Sequence, residues 1–223
     1  MLHALIYYTM KFIVISSPDF LAGEDFLISQ LLEAGVDTFH LRKLGSDVNQ
    51  CKALLNKLPS SCLSRVVVHY HPSLASLYPL QGVHLSAPEV SRWCEALKHH
   101  VPANRLMGHL DANKYSASCH SLTEVALLKP VTHHVFLSPI FNSISKQGYL
   151  AAFDDATLQC AASEKLIDEK VVALGGVDIH HIPQLKAWRF GGAAFLGAVW
   201  EKAGTPHFLP YIEALRRTLD GLG

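Results

Sequence analysis

The chain has 223 residues, 49% of them hydrophobic, with 19 basic against 19 acidic side chains and no net charge. So apolar a composition excludes a disordered chain, and the length suits a single large α/β unit with a substantial core. Neutrality gives no support for nucleic acid or an anionic membrane as partner.

The first nine residues, MLHALIYYT, are apolar but lack the basic start of a signal peptide and are too short to span a bilayer. Met10 directly precedes a clean strand pattern, so either Met10 is the true start or 1–9 is a loosely packed leader. Alternating and continuous apolar runs then predict strands at Phe12–Ser16, Thr38–Lys43, Val66–Tyr70, Val83–Ser86, Tyr115–Cys119, Val135–Pro139, Val171–Leu174 and Ala193–Gly197. Between them, helical periodicity marks Glu24–Ala34, Val48–Leu58, Glu89–His99, Leu122–Leu128, Asp155–Lys165, Ile182–Trp188 and Phe208–Leu219. The weakest gap, Pro72–Gln81, has room for only about two helical turns. Eight strands with a helix in nearly every gap fit a closed (β/α)8 barrel spanning 1–223 better than an open sheet. No GxGxxG follows the first strand, which counts against a dinucleotide-binding fold.

The segment Val171–Trp200 is the most informative. Two apolar runs, VVALGG and GGAAFLG, each end in glycine and lead into a helix start. Glycine there lets a phosphate approach backbone N–H groups, and in (β/α)8 barrels the loops after strands seven and eight form the usual phosphate pocket. Strand alternation places polar groups on one face: Thr38, His40 and Arg42; Val67, His69 and His71; His84 and Ser86; Ser116, Ser118 and His120. Under the outer helices they would be costly to bury, so a polar pocket at the C-terminal mouth is the economical arrangement, with His40, His69 and His84 lining it. Cys119 alternates to the outer side and reads as an inert apolar thiol. The five cysteines are odd in number and lack CxxC spacing, which points to reduced thiols in a cytoplasmic protein. The histidines could alternatively ligate zinc, but no pair falls within a recognised metal motif, and no metal site is expected.

Several segments together resemble the thiamin phosphate synthase and thiazole tautomerase superfamily: His40–Lys43 (HLRK), Val67–Ala75, Gly82–Ser86 (GVHLS), Ser118–Val125, Ser138–Lys146 (SPIFNSISK), Ala173–Val177 and Gly191–Trp200. The resemblance implies that Arg42 and Lys146 bind phosphate or pyrophosphate. It implies too that Gly175, Gly176, Gly197 and Ala198 hold a thiazole phosphate through backbone N–H groups. By the same likeness, Ser118 hydrogen-bonds an anionic group and His120 is the catalytic residue.

The chain departs from that pattern where the synthase holds magnesium. An Asn-Asp pair is replaced by His69-Tyr70, and the second position falls near Glu89. Magnesium prefers hard oxygen ligands, which histidine and tyrosine replace poorly. The leading expectation is therefore a metal-independent thiazole tautomerase-like isomerase without a cofactor, in which His120 both accepts and donates a proton. The alternative is a thiamin phosphate synthase, a transferase with an altered magnesium site. A third reading is a non-catalytic sensor of phosphorylated ligands. All three take a phosphorylated thiazole as the small-molecule partner, and a homo-oligomer is compatible with each.

Overall fold

In the structure, a computed structural model, the described residues are 9–108, 110–142 and 150–221. Eight parallel strands close into a barrel in sequence order: β1 (Lys11–Ile15), β2 (Thr38–Leu41), β3 (Val66–Val68), β4 (Gly82–His84), β5 (Tyr115–Cys119), β6 (His134–Leu137), β7 (Val171–Ala173) and β8 (Gly192–Phe195). Closure comes from β1 against β8, with Lys11 opposite Gly192 and Val14 opposite Phe195.

The helices are α1 (Glu24–Glu33), α2 (Val48–Leu55), α3 (Ser60–Leu63), α4 (Ala87–Lys98), α5 (Leu122–Leu128), α6 (Asp155–Ser163), α7 (Ile182–Ala187), α8 (Gly197–Trp200) and α9 (Phe208–Asp220). No helix among the described residues is long and apolar enough to cross a membrane. Reciprocal capping boxes start several of them; Asp47 and Gln50 open α2, and Ser121 and Glu124 open α5.

The expected eight strands are all present, but most end one or two residues earlier than the apolar patterns do. The strongest case is β3, which stops at Val68 because Tyr70 takes a left-handed backbone, φ 63°. That turn breaks the alternation, so His71 leaves the inward face and bonds Ser46 instead, Nε2 to Oγ 3.2 Å. The helix expected over Val48–Leu58 ends at Leu55, an unexpected short α3 follows Pro59, and the Pro72–Gln81 gap holds a single 3-10 turn, Pro72–Ser76.

Two layers of core position the site. The main one lies between barrel and helices and includes Phe39, Trp93, Leu128, Phe190 and Ile212. A smaller one fills the barrel interior on one side only, from Ile13, Ile15, Phe136, Val172 and Ala194. The opposite side, from β2 to β5, carries imidazoles and hydroxyls. At the end of β2 the buried Lys43 ammonium meets the Glu24 carboxylate at 2.6 Å and the carbonyls of Ser17 and Asp19 at 2.9 and 2.6 Å. This fully paired ion ties the β1 loop to β2 beneath the mouth.

Candidate active site

A cavity of about 830 Å³ opens at the C-terminal ends of the strands. Arg42, His69, His84, Ser118, His120, Gly175, Gly176, Gly197 and Ala198 all line it, so most residues singled out from sequence meet in one place. Lys146 lies outside the described residues.

On the β2–β3 side, Arg42 is held by its own backbone: its N–H donates to Ser16 Oγ and its carbonyl accepts from the same hydroxyl, both at 2.9 Å. Its guanidinium lies 5.9 Å from the centre of the Tyr70 ring, a cation–π pair that keeps the charge at the rim.

His40 does not line the cavity. It is fully buried and sits one layer lower. Arg42 shares its strand face two residues on, and at about 3.3 Å per residue that difference is roughly 6–7 Å of depth. His40 Nδ1 hydrogen-bonds His69 Nε2 at 3.0 Å, and His69 stacks on His84 with ring centres 4.2 Å apart. His84 is gripped on both sides, Nδ1 to Ser116 Oγ at 2.9 Å and Nε2 to Ser118 Oγ at 3.0 Å. Ser118 thus has a structural partner besides any ligand. His134, which sequence reasoning passed over because it begins its strand, joins the cluster with its ring 5.4 Å from that of His40.

Burial holds all four imidazoles neutral. Desolvation lowers His40, His69 and His134 well below the ordinary histidine range, with neighbouring histidines, and Arg42 beside His69, adding to the effect. Desolvation first and the Arg42 charge second bring His84 to about 3.

His120 lies on the exposed side of the mouth. Its Nδ1 is 3.0 Å from the Ser138 carbonyl oxygen, an atom that only accepts, so Nδ1 carries the proton and Nε2 keeps its lone pair. Its backbone N–H donates to Glu124 Oε2 at 2.6 Å, which fixes the turn into α5. Cys119 next door is buried among the helices, and desolvation raises its thiol far above the usual range, as the outward alternation implies.

At the β7–β8 corner, Gly175 and Gly176 take φ values of 93° and 65°. A Cβ on Gly175 would lie 2.8 Å from Pro139 Cα, and one on Gly176 would run into the Asn142 carbonyl oxygen, so both positions demand glycine. Among the described residues, Gly176, Gly197 and Ala198 donate no backbone hydrogen bond. These N–H groups, without a partner among the described residues, suit an anion. Lys202, Asp178 and Tyr211 complete this wall. They come from loops and from α9, where no strand alternation could point to them.

Glu89, the nearest carboxylate to the altered magnesium position, accepts from the Ser86 N–H and hydroxyl at 2.8 and 2.6 Å as the capping partner of α4. It does not line the cavity.

The profile of the thiamine monophosphate synthase family matches residues 12–199. Among solved structures, a thiamine phosphate pyrophosphorylase from Bacteroides thetaiotaomicron is 32% identical with a TM-score of 0.77, over 95% of this chain and 98% of that one. A second, from Pyrococcus furiosus, is 17% identical with a TM-score of 0.69, over 97% and 98%. The Amycolatopsis orientalis BexX/CysO complex is 14% identical with a TM-score of 0.63, over 96% and 90%. The last two likenesses show the fold alone. No relative is found among curated proteins.

Proposed function

Because this chain is an enzyme of the thiamine monophosphate synthase family, we propose that its pocket takes a phosphorylated thiazole together with a pyrimidine diphosphate and joins them in thiamin biosynthesis. The observation that carries this reading is the size of the cavity. About 830 Å³ is near the top of the range of about 300–1,000 Å³ for ligand sites, more than one small heterocyclic phosphate fills. The name of the Bacteroides enzyme supports it as well. This reverses the order of the two readings drawn from sequence, where the isomerase came first.

In the proposed reaction the thiazole nitrogen attacks the pyrimidine methylene carbon. The carbon–oxygen bond to pyrophosphate breaks, and its electron pair leaves on the oxygen. Holding both rings side by side supplies most of what such a displacement needs. The N–H groups of Gly176, Gly197 and Ala198 would anchor the thiazole phosphate. Arg42, positioned by Ser16 and Tyr70, would meet the charge that develops on the departing pyrophosphate. Magnesium does not fit the residues at its family position. The oxygen donors are replaced by His69 and Tyr70, and the Glu89 carboxylate is committed to Ser86.

A second reading rests on His120. With Nδ1–H given to Ser138, its Nε2 is available to move a proton on a carboxylated thiazole phosphate, which is isomerase chemistry and needs no metal. Two assays on the purified protein separate the readings, each run with and without EDTA. Release of pyrophosphate with formation of thiamin phosphate from the two phosphorylated precursors is the expected result. Conversion of the carboxylated thiazole tautomer with no pyrophosphate released would establish the isomerase instead. Tight binding without turnover in either assay would leave a ligand sensor.

A further inference from the structure

We propose that His40, His69 and His84 form a binding site for a borderline divalent cation of the Zn2+ or Co2+ class at the floor of the pocket, with its fourth position facing the cavity. This holds whichever reaction the pocket carries. One ring nitrogen from each of the three lies within 4.8 Å of the others. The His40 Nδ1 and His69 Nε2 atoms are already 3.0 Å apart. Two nitrogens bound at about 2.0–2.1 Å to one tetrahedral ion lie about 3.3 Å apart, so this pair has nearly the required spacing without backbone movement. The rings come from β2, the end of β3 and β4, neighbouring strands of one rigid barrel.

The chemistry of the donors selects the ion. Imidazole nitrogens suit borderline metals and not magnesium. The hydrogen bond between His40 and His69 places one N–H between the two ring nitrogens, so binding both moves that proton to the other nitrogen of its ring. His84 Nδ1 is held by Ser116, the kind of outer hydrogen bond that orients a ligating ring.

Two features oppose an ion and define what must accompany it. The Arg42 charge faces His69 and His84, and the cluster contains no carboxylate. A bound dication would therefore take an anionic oxygen, from hydroxide or a substrate phosphate, at its open position. The His69 and His84 rings, now 19° from parallel, cannot both aim lone pairs at one tetrahedral ion while stacked. One must turn, and turning His84 releases the Ser118 hydroxyl into the pocket.

The test uses the full chain after treatment with EDTA, titrated with Co2+ and followed by visible absorption. Tetrahedral Co2+ absorbs strongly and octahedral Co2+ faintly. One equivalent with the intense spectrum is expected, displaced by Zn2+ and not by a large excess of Mg2+. His69→Asn and His84→Asn, each checked for folding by circular dichroism, should each weaken Co2+ binding by at least about 100-fold and remove the spectrum. A faint octahedral spectrum in the wild-type protein overturns the proposal. So does unchanged binding in both folded variants, which would move the ion to surface histidines such as His180 and His181.

Discussion

At His120 the shorter of two Nδ1 contacts to Ser138, 3.0 Å to its carbonyl against 3.4 Å to its hydroxyl, decides which ring nitrogen can work as a base. Replacing His120 with asparagine keeps approximate size and some hydrogen bonding but removes the titrating nitrogen. If proton transfer is part of turnover, His120→Asn lowers isomerisation of the carboxylated thiazole phosphate by about 10²–10⁴-fold, and phosphate affinity measured by calorimetry changes little. Full isomerisation by the variant would remove His120 from that chemistry. Displacement of pyrophosphate requires no proton from His120, so the same variant should keep that activity within a few-fold. Alternation was enough to send Ser118 and His120 inward and Cys119 outward, because a strand offers only two directions. It could not give depth: His40 and Arg42 share a face of β2, yet one is entombed and the other lines the cavity.

At the scale of elements, the β7–β8 corner acts as a unit. The two left-handed glycines turn the chain against Pro139 and Phe141, and the start of α8 adds N–H groups with no partner among the described residues. In the proposed function backbone donors hold the thiazole phosphate here, so crowding the corner should matter more than trimming side chains around it. Gly197→Val is expected to weaken binding of a thiazole phosphate by about tenfold or more. Its melting temperature should stay close to that of the wild type, since Gly197 is only partly buried. Normal ligand binding by this variant would place the anion elsewhere in the cavity. This corner was legible from sequence because glycine at a strand's end has few other uses in a buried parallel sheet. The end of β3 was not, because nothing in the run VVVHYH announces that Tyr70 adopts φ 63°.

Across the whole molecule, the barrel interior is divided between an apolar side and an imidazole side, and this makes stability depend on pH. His40, His69, His84 and His134 resist protonation in the fold, whereas in the unfolded chain each takes up a proton near pH 6.5. Above that value the two states carry the same charge on these rings and the full stability is present. As pH falls through 6.5 the unfolded state gains protons first. Stability then drops by up to about 1.4 kcal/mol per pH unit for each such histidine, continuing for His84 towards pH 3. Urea midpoints measured from pH 7.5 to 5, a window in which ordinary carboxylates scarcely titrate, should fall steeply. A flat profile would mean that the four rings are solvated in solution.

The eight-stranded barrel, the family and the glycine-rich β7–β8 corner were all legible in the residues alone, as was the gathering of Arg42, His69, His84, Ser118 and His120 into one pocket. These properties follow from local rules: two-fold alternation, helical periodicity, glycine after buried strands, and short motifs in a fixed order. Which polar groups reach the cavity and which serve the fold emerges only when the barrel closes. Closure sank His40 beneath the pocket, packed His134 against His40 there, and committed Glu89 to capping α4. It also set the cavity's volume, which changed the leading reading of the reaction. Depth inside a closed barrel depends on the stagger between neighbouring strands, and that register comes from pairing across the sheet, which no single stretch of chain contains.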